Sequence, residues 1–353
     1  MTHTPPHIMI RADAFADLGG GHIMRCLSLA RWLAAQDCRV AFACAPGSAD
    51  LVPALARSGF AVLDAHGNRD LPLPDGWPAR ADAVFVDLYS SDASDEVALR
   101  ARAGAVVAIE DLDGRHHDCD LLVDPGAGRS ADLYRGRVPP DCRVLAGPGF
   151  ALLRDEFAAA RADSLARRAR QIAPPRHVLV SMGLTDIGGI SERIVRLVVN
   201  ALPDATVEII LGPRAPSLPA LRTLAASQPR LELGIDVDDM ARRMSQADIA
   251  IGAGGGTALE RCVLGLPSVA IILAANQRPA TLYLARTGAL LAIDTIDAVE
   301  NELPGLLARM TPESCAALSK TAASVCDGKG AERVGRALLE LVNGNRPETR
   351  NHD

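Results

Sequence analysis

Three glycine-rich segments sit where a strand-like run gives way to a helix-like one, and two of them carry side chains able to do chemistry. The first is Leu18-Gly19-Gly20-Gly21-His22. Glycines let backbone N–H groups approach a ligand closely and adopt positive φ. His22 follows them directly, at the start of a helix. The positive end of a helix disfavours imidazolium, so this placement predicts a histidine that is neutral near pH 7 and able to accept a proton. A histidine that caps the helix or fills a turn is the competing reading; the three glycines before His22 favour function.

The segment from Ile251 to Arg261 has the strongest physical logic. A buried strand ends in small residues. The backbone amides of Gly254, Gly255 and Gly256, with Thr257, can cradle a diphosphate at the next helix N-terminus. Glu260 lies one turn into that helix, on the side that reaches a ribose hydroxyl pair. Tight helix–sheet packing with an exposed acid is the alternative here. The remaining segment runs from Met182 to Gly189 and contains Gly183 and Thr185. A turn with an Asp or Ser helix cap explains much of it. None of the three is G-x-G-x-x-G or G-x-x-x-x-G-K-[ST], so the dinucleotide fingerprint and the P-loop are both absent.

These loops need elements to hold them. The 353 residues favour two domains over one. Strand-like runs at His7–Arg11, Arg39–Cys44, Ala61–Leu63, Ala83–Val86, Ala105–Ile109 and Leu121–Val123 alternate with helical patterns at His22–Gln36 and Asp50–Ser58. On the first helix, Ile23, Leu27, Ala30, Leu33 and Ala34 recur on one face. A charged, Ala-rich helix over Arg154–Gln171 then runs into Ala173-Pro174-Pro175, and the βα alternation restarts at His177 and continues to Thr287. Such alternation means parallel sheets. The reading is an α/β chain of two doubly wound, Rossmann-like domains facing a central cleft. Residues 1–160 form the domain that carries His22, and 176–330 the domain that binds the nucleotide. Residues 331–353 form a last helix, able to pack back on the first domain, and a polar tail. Ligands of open parallel sheets bind beyond the carboxyl ends of the strands, where the three loops fall.

Composition excludes several functions. The net charge of −6, without a Lys/Arg tract, argues against nucleic acid as a partner. Six Phe, two Trp and three Tyr are too few for an extended stacking platform. No apolar run approaches the roughly 18 residues that span a bilayer, and the start lacks the features of a signal peptide, so a cytoplasmic chain without a membrane partner is expected. The eight cysteines are dispersed, with no Cys-x-x-Cys pair and no zinc spacing, and read as reduced, buried or half-buried thiols.

Taken together, the motifs resemble a known family. The strand, small-residue loop, Glu260-bearing helix, Gly265-Leu266-Pro267 and Asn276-Gln277 are similar to the nucleotide site of GT-B sugar-nucleotide enzymes. Arg11-Ala12-Asp13, Gly21-His22-Ile23-Met24-Arg25-Cys26, Asp87-Leu88-Tyr89, the Asp111–Asp124 stretch, Ala151-Leu152-Leu153-Arg154-Asp155-Glu156-Phe157 and Thr185-Asp186 narrow the match. They resemble the UDP-2,4-diacetamido-2,4,6-trideoxy-β-L-altropyranose hydrolases of pseudaminic acid biosynthesis, in order over about residues 8–290. The resemblance implies a GT-B-like fold and a metal-independent, cofactor-free hydrolase of a UDP-linked deoxy-diacetamido sugar. Water attacks the anomeric carbon with inversion and UDP leaves. It implies His22 and Tyr89 as catalytic residues. Arg11, Asp13, Gly19, Gly20, Gly21, Arg154, Asn276 and Gln277 fall on the sugar side. Gly183, Thr185, Gly254, Gly255, Gly256, Thr257 and Glu260 fall on the nucleotide side.

The physics agrees. A neutral histidine can take a proton from water attacking an oxocarbenium-like carbon, and a diphosphate leaving group needs charge stabilisation more than protonation. Leu184, Asp124-Pro125-Gly126 and the glycines of the 254–256 loop depart from the family pattern, near the sugar and phosphate rather than at His22. An inverting GT-B glycosyltransferase with a UDP-sugar donor is the alternative, and a non-catalytic nucleotide-sugar sensor a more distant one. A monomer or weak homo-oligomer is expected.

Overall fold

The computed structural model describes residues 4–15, 19–112 and 114–344. Leu18 and the tail beyond Gly344 lie outside them. The chain divides into two compact units, 1–152 with 330–353, and 153–329.

The first unit is a seven-stranded parallel sheet: β1 (His7–Ala12), β2 (Arg39–Cys44), β3 (Ala61–Asp64), β4 (Ala81–Asp87), β5 (Ala103–Ile109), β6 (Leu121–Asp124) and β7 (Arg143–Ala146), ordered β3-β2-β1-β4-β5-β6-β7. The order reverses direction between β1 and β4, which makes the carboxyl ends of these two strands the topological switch point where open sheets bind ligands. β1 is buried along its whole length, as expected for a central parallel strand. Beneath it the helix Gly21–Ala34 inserts Ile23, Leu27, Ala30 and Leu33 into a core shared with Phe42, Phe85 and Val107.

The second unit repeats the plan with six parallel strands. These are β8 (His177–Ser181), β9 (Thr206–Leu211), β10 (Leu231–Ile235), β11 (Ile249–Ala253), β12 (Ser268–Ile271) and β13 (Leu291–Ile293), ordered β10-β9-β8-β11-β12-β13. Its switch point lies between β8 and β11. The Met182–Gly189 and Gly254–Thr257 loops start there.

Several elements differ from the sequence reading. The helix expected over Asp50–Ser58 is two single turns, Ser48–Leu51 and Pro53–Ala56, because Pro53 lacks the N–H that would continue the first. The helix Ala93–Leu99 was not anticipated, although Asp92 and Asp95 form a capping box at its start. β7, β13 and the helices Val299–Ala308 and Pro312–Val325 also went unread; Pro304 lies inside the former helix and disguises it.

The division between units falls at Leu152, ahead of the helix Asp155–Ala169, where the sequence reading carried the first domain to residue 160. Side chains decide this. Arg161 bonds the carbonyls of Val263 and Ala323, and Ser164 bonds that of Leu264, so the helix is stapled to the second unit. The last helix, Gly330–Gly344, instead packs against Gly21–Ala34 in the first unit. Gly335 permits the close approach: a Cβ there would stand 2.2 Å from the Trp32 ring. Gly335→Ala should therefore destabilise the protein by about 1–3 kcal/mol. Gly305, on the exposed side of a helix with open space around it, should gain about 0.5–1 kcal/mol on mutation to alanine. Thermal or urea unfolding of the two variants should move in opposite directions; a neutral Gly335→Ala would contradict this packing account.

Candidate functional site

At the first switch point the loop after β1 delivers His22 and the end of β4 delivers Asp87. Gly20 caps the helix and Gly21 opens it, with no neighbour within 4 Å of where a Cβ would stand. His22 is buried, with Nδ1 2.5 Å from Asp87 Oδ1. Nδ1 thus faces the Asp87 carboxylate, the contact that an Nδ1–H makes, and Nε2 has no partner among the described residues. Asp87 also accepts from Arg25 Nε and Nη2, each at 2.6 Å, and from the Cys26 thiol at 3.4 Å. Burial alone would raise the Asp87 pKa. Arg25 first and His22 second overturn that and hold the carboxyl far below the usual carboxylate range. Asp87 is thus a fixed anion that orients His22. Burial beside that anion pushes the Cys26 thiol well up, so it stays protonated.

Tyr89 comes next in the loop. Its ring meets His22 edge-on, with centroids 4.4 Å apart and planes at 88°. Its hydroxyl donates to Asp111 at 3.3 Å, and Arg25 Nη1 lies 2.7 Å from that carboxylate. The structure therefore brings His22 and Tyr89 together and adds Arg25, Asp87 and Asp111, which were not singled out in the sequence. Arg25 was legible: it lies one turn beyond His22 on the same helix face.

Behind this cluster lies a second layer. Arg115 Nη1 donates to the carbonyls of Leu88, Tyr89 and Ser91, at 3.0–3.1 Å, and so fixes the loop that carries Tyr89. Arg115 pairs in turn with Glu110, and His117 is held between Glu96 at 2.7 Å and Glu110 at 2.9 Å. Burial opposes charge on His117, but the bonds to Glu110 and Glu96 outweigh it and push its pKa up to about 9.

Arg11 and Asp13 were expected on the sugar side. They instead form a buried ion pair with each other. Arg11 also donates to the carbonyls of Ala43 and Gly67, and Asp13 accepts from the Ala45 amide. Both side chains are engaged in bracing the loops beyond β2 and β3. The Gly19 amide is likewise engaged, by the carbonyl of Phe15.

At the second switch point three consecutive amides, those of Gly255, Gly256 and Thr257, have no partner among the described residues. The Gly254 amide does not join them. It extends the β11–β12 ladder by bonding Ile271, and this corrects its expected part in a phosphate cradle. Gly254 is needed for another reason: a Cβ would stand within 2.3 Å of Thr281 Oγ1, which donates to the Gly254 carbonyl. Gln277 folds back over the same loop, accepts from the Leu273 amide and directs Nε2 towards Gly255. Asn276 precedes it in the same 3₁₀ turn. Arg154 reaches Glu260 at 3.4 Å, pairs with Glu156 and lies over the Phe157 ring. Burial pushes the Glu260 carboxyl up against the pull of Arg154.

The Met182–Gly189 loop is held from below. Asp186, with φ +45°, accepts from the Ser191 amide and hydroxyl and from the Ser217 amide. Gly212 donates to the Leu184 carbonyl so closely that a Cβ on it would stand 2.1 Å from that oxygen. Gly183, with φ +98°, turns the chain, and Thr185 is half-buried beside it. Leu184 itself is exposed. Among the described residues no group of three His, Cys, Asp or Glu side chains is arranged to hold a metal ion, and no helix is long and apolar enough to cross a membrane. The eight cysteines are free thiols, seven of them buried.

Two parallel-sheet α/β domains of this kind define the GT-B architecture, and comparison with solved structures bears it out. MurG of Acinetobacter baumannii superposes with a TM-score of 0.63 at 17% identity, covering 95% of this chain and all of that one. MnaA of S. aureus, solved with UDP, gives a TM-score of 0.62 at 13% identity, over 96% of this chain and 97% of that one. Residues 225–334 match the glycosyltransferase family 28 C-terminal domain, a span that takes in the Gly254–Thr257 loop, Glu260, Asn276 and Gln277.

Among particular proteins, the chain is similar to the UDP-2,4-diacetamido-2,4,6-trideoxy-β-L-altropyranose hydrolase of Campylobacter jejuni. The two are 25% identical over 282 residues, 80% of this chain and 97% of that one. It is likewise 25% identical over 354 residues to the spore coat polysaccharide biosynthesis protein SpsG of Bacillus subtilis, covering 95% of this chain and 98% of that one.

The His117 pair makes stability depend on pH. A folded pKa raised to about 9, from an ordinary value of 6.5, stabilises the fold fully below pH 6.5 and progressively less as pH rises through 9. Unfolding free energy should therefore fall between pH 6.5 and 9. In His117→Gln this fall should flatten, and stability at pH 6 should drop by about 3 kcal/mol because Glu96 and Glu110 lose their shared partner. An unchanged pH profile in the variant would contradict the assignment.

Proposed function

We propose that this protein hydrolyses a UDP-linked 2,4-diacetamido-2,4,6-trideoxy sugar to the free sugar and UDP, in nonulosonic acid biosynthesis of the pseudaminic acid type. The observation that carries the reading is the imidazole of His22 held by Asp87 through Nδ1, with Nε2 unpartnered among the described residues and Tyr89 against its ring. Similarity to the C. jejuni hydrolase over nearly that protein's whole length supports the substrate class.

In this mechanism a water bonded to His22 Nε2 attacks the anomeric carbon from the face opposite the diphosphate. His22 takes the water's proton as the C–O bond forms, and the C–O bond to UDP breaks with inversion. Asp87 stabilises the imidazolium and does not itself take the proton. Tyr89, anchored by Asp111, limits the ring's motion. The free amides of Gly255, Gly256 and Thr257 take the charge developing on the leaving diphosphate, while Glu260 accepts from the ribose hydroxyls. Arg154, Asn276 and Gln277 contact the sugar, and Gly183 and Thr185 contribute to the nucleotide side. The reaction as drawn uses neither metal nor cofactor and needs no second subunit, and we place it in the cytoplasm.

A second reading is an inverting GT-B glycosyltransferase with a UDP-sugar donor, favoured by the family 28 match over 225–334. The two differ in what they do without an acceptor. Purified protein given the UDP-diacetamido sugar alone should release UDP continuously; release only on addition of an acceptor would favour the transferase. His22→Ala should lower kcat by about 10²–10⁴-fold. Asp87→Asn should lower it by a comparable factor, and both should leave UDP binding by calorimetry close to wild type. Normal turnover by His22→Ala would remove His22 from the mechanism.

A further inference from the structure

We propose that Arg261 is a built-in counter-charge beneath the nucleotide loop, a positioning residue that makes the loop select its ligand by the diphosphate rather than by the nucleoside. This rests on the reading of the Gly254–Thr257 loop as a nucleotide cradle.

Arg261 is only 1% exposed, yet no carboxylate among the described residues lies within ion-pair distance of it. Its neighbour Glu260 turns to Arg154 instead. Arg261 Nη2 donates to the Ala253 carbonyl at 2.8 Å, Nη1 reaches the Thr257 hydroxyl at 3.4 Å, and Nε is buried without a partner. The guanidinium is thus tied to both ends of the loop whose amides at 255, 256 and 257 are unpaired. The strand makes room for it at Gly252, where a Cβ would stand within 2.4 Å of Nη1.

The second unit contains a useful contrast. Arg168 is also buried without a carboxylate contact, but its Nε, Nη1 and Nη2 each donate to a backbone carbonyl, those of Leu264, Ala247 and Met244. That is a satisfied structural staple. Arg261 has one carbonyl and one long hydroxyl contact for five N–H donors. Burial pushes its pKa down to about 10, so it remains a cation at neutral pH. A buried cation left unpaired carries a substantial desolvation penalty, and an anion bound on the loop above it would supply the missing charge. Three free amides on the same loop make a multiply charged oxyanion, the diphosphate of a nucleoside diphosphate, the ligand class that fits.

The test is calorimetric titration of the full chain with UDP, UMP and uridine at fixed ionic strength, using wild type, Arg261→Lys and Arg261→Met. Wild type should bind UDP more tightly than UMP, and UMP more tightly than uridine. Arg261→Met should lose tenfold or more for UDP, less for UMP and nothing for uridine. Arg261→Lys should recover part of the UDP preference, and Arg261→Met should show a shallower salt dependence than wild type. Should Arg261→Met fail to fold, Arg261→Lys alone decides, by a weakened UDP affinity with uridine unchanged. Parallel losses for UDP and uridine, or wild-type UDP binding by a folded Arg261→Met, would overturn the assignment. A wild-type protein that binds none of the three overturns the nucleotide-loop reading itself, and that result is read before any variant is made.

Discussion

The buried carboxylate of Asp87, at the end of β4, is the contact on which the first unit's site depends. It accepts from His22, twice from Arg25 and from Cys26, all on the helix that follows β1. The sheet order makes this possible, because β1 and β4 are adjacent and parallel and their carboxyl ends meet at the switch point. One carboxylate therefore ties the strand to the helix and fixes the tautomer of the imidazole. Its low pKa follows from the same contacts and keeps it an acceptor across the physiological range. The Glu96–His117–Glu110–Arg115 network repeats the device one layer further back, where Arg115 holds the carbonyls of the Tyr89 loop. Charge is used here to hold loops as well as to do chemistry.

The second unit solves a different problem with different means. Its loop offers amides that are unpaired among the described residues rather than an acid or base, and Arg261 beneath it is a cation with no carboxylate of those residues at ion-pair distance. A neutral cradle would bind any hydrogen-bond acceptor of the right shape, whereas a buried charge adds a demand for charge in the ligand. The glycines serve distinct purposes. Gly252 clears space for Arg261 and Gly254 for Thr281, so each of these two would fail for a different reason if it gained a side chain, whereas Gly256 has open space around it.

Much of this was legible in the sequence. The βα alternation, the restart at His177 and the loops at strand ends follow from local patterns, and the positions of His22 and of the 254–257 loop follow from them. What stayed hidden depended on pairing across the sheet. Asp87 and Arg25 stood in the motifs that carried the family resemblance, but their contact spans 62 residues and no local rule joins them. The Arg11–Asp13 pair was closer to hand: two residues apart at the end of a strand, they share a face, and opposite charges there satisfy each other before they meet a ligand. Gly254 was misread because the last ladder bond of β11 reaches one residue past the strand. Arg261 escaped notice because an arginine in a short helix reads as surface, and only Gly252 hinted that the space beneath was needed.

In the proposed hydrolysis the Asp87-oriented His22 delivers water to the anomeric carbon. Turnover of the UDP-diacetamido sugar in ¹⁸O-labelled water, with both products analysed by mass spectrometry, shows which bond the water's oxygen enters. One labelled oxygen is expected in the released sugar and none in UDP. Label in UDP would mean that water attacks phosphorus instead, and would contradict attack at carbon.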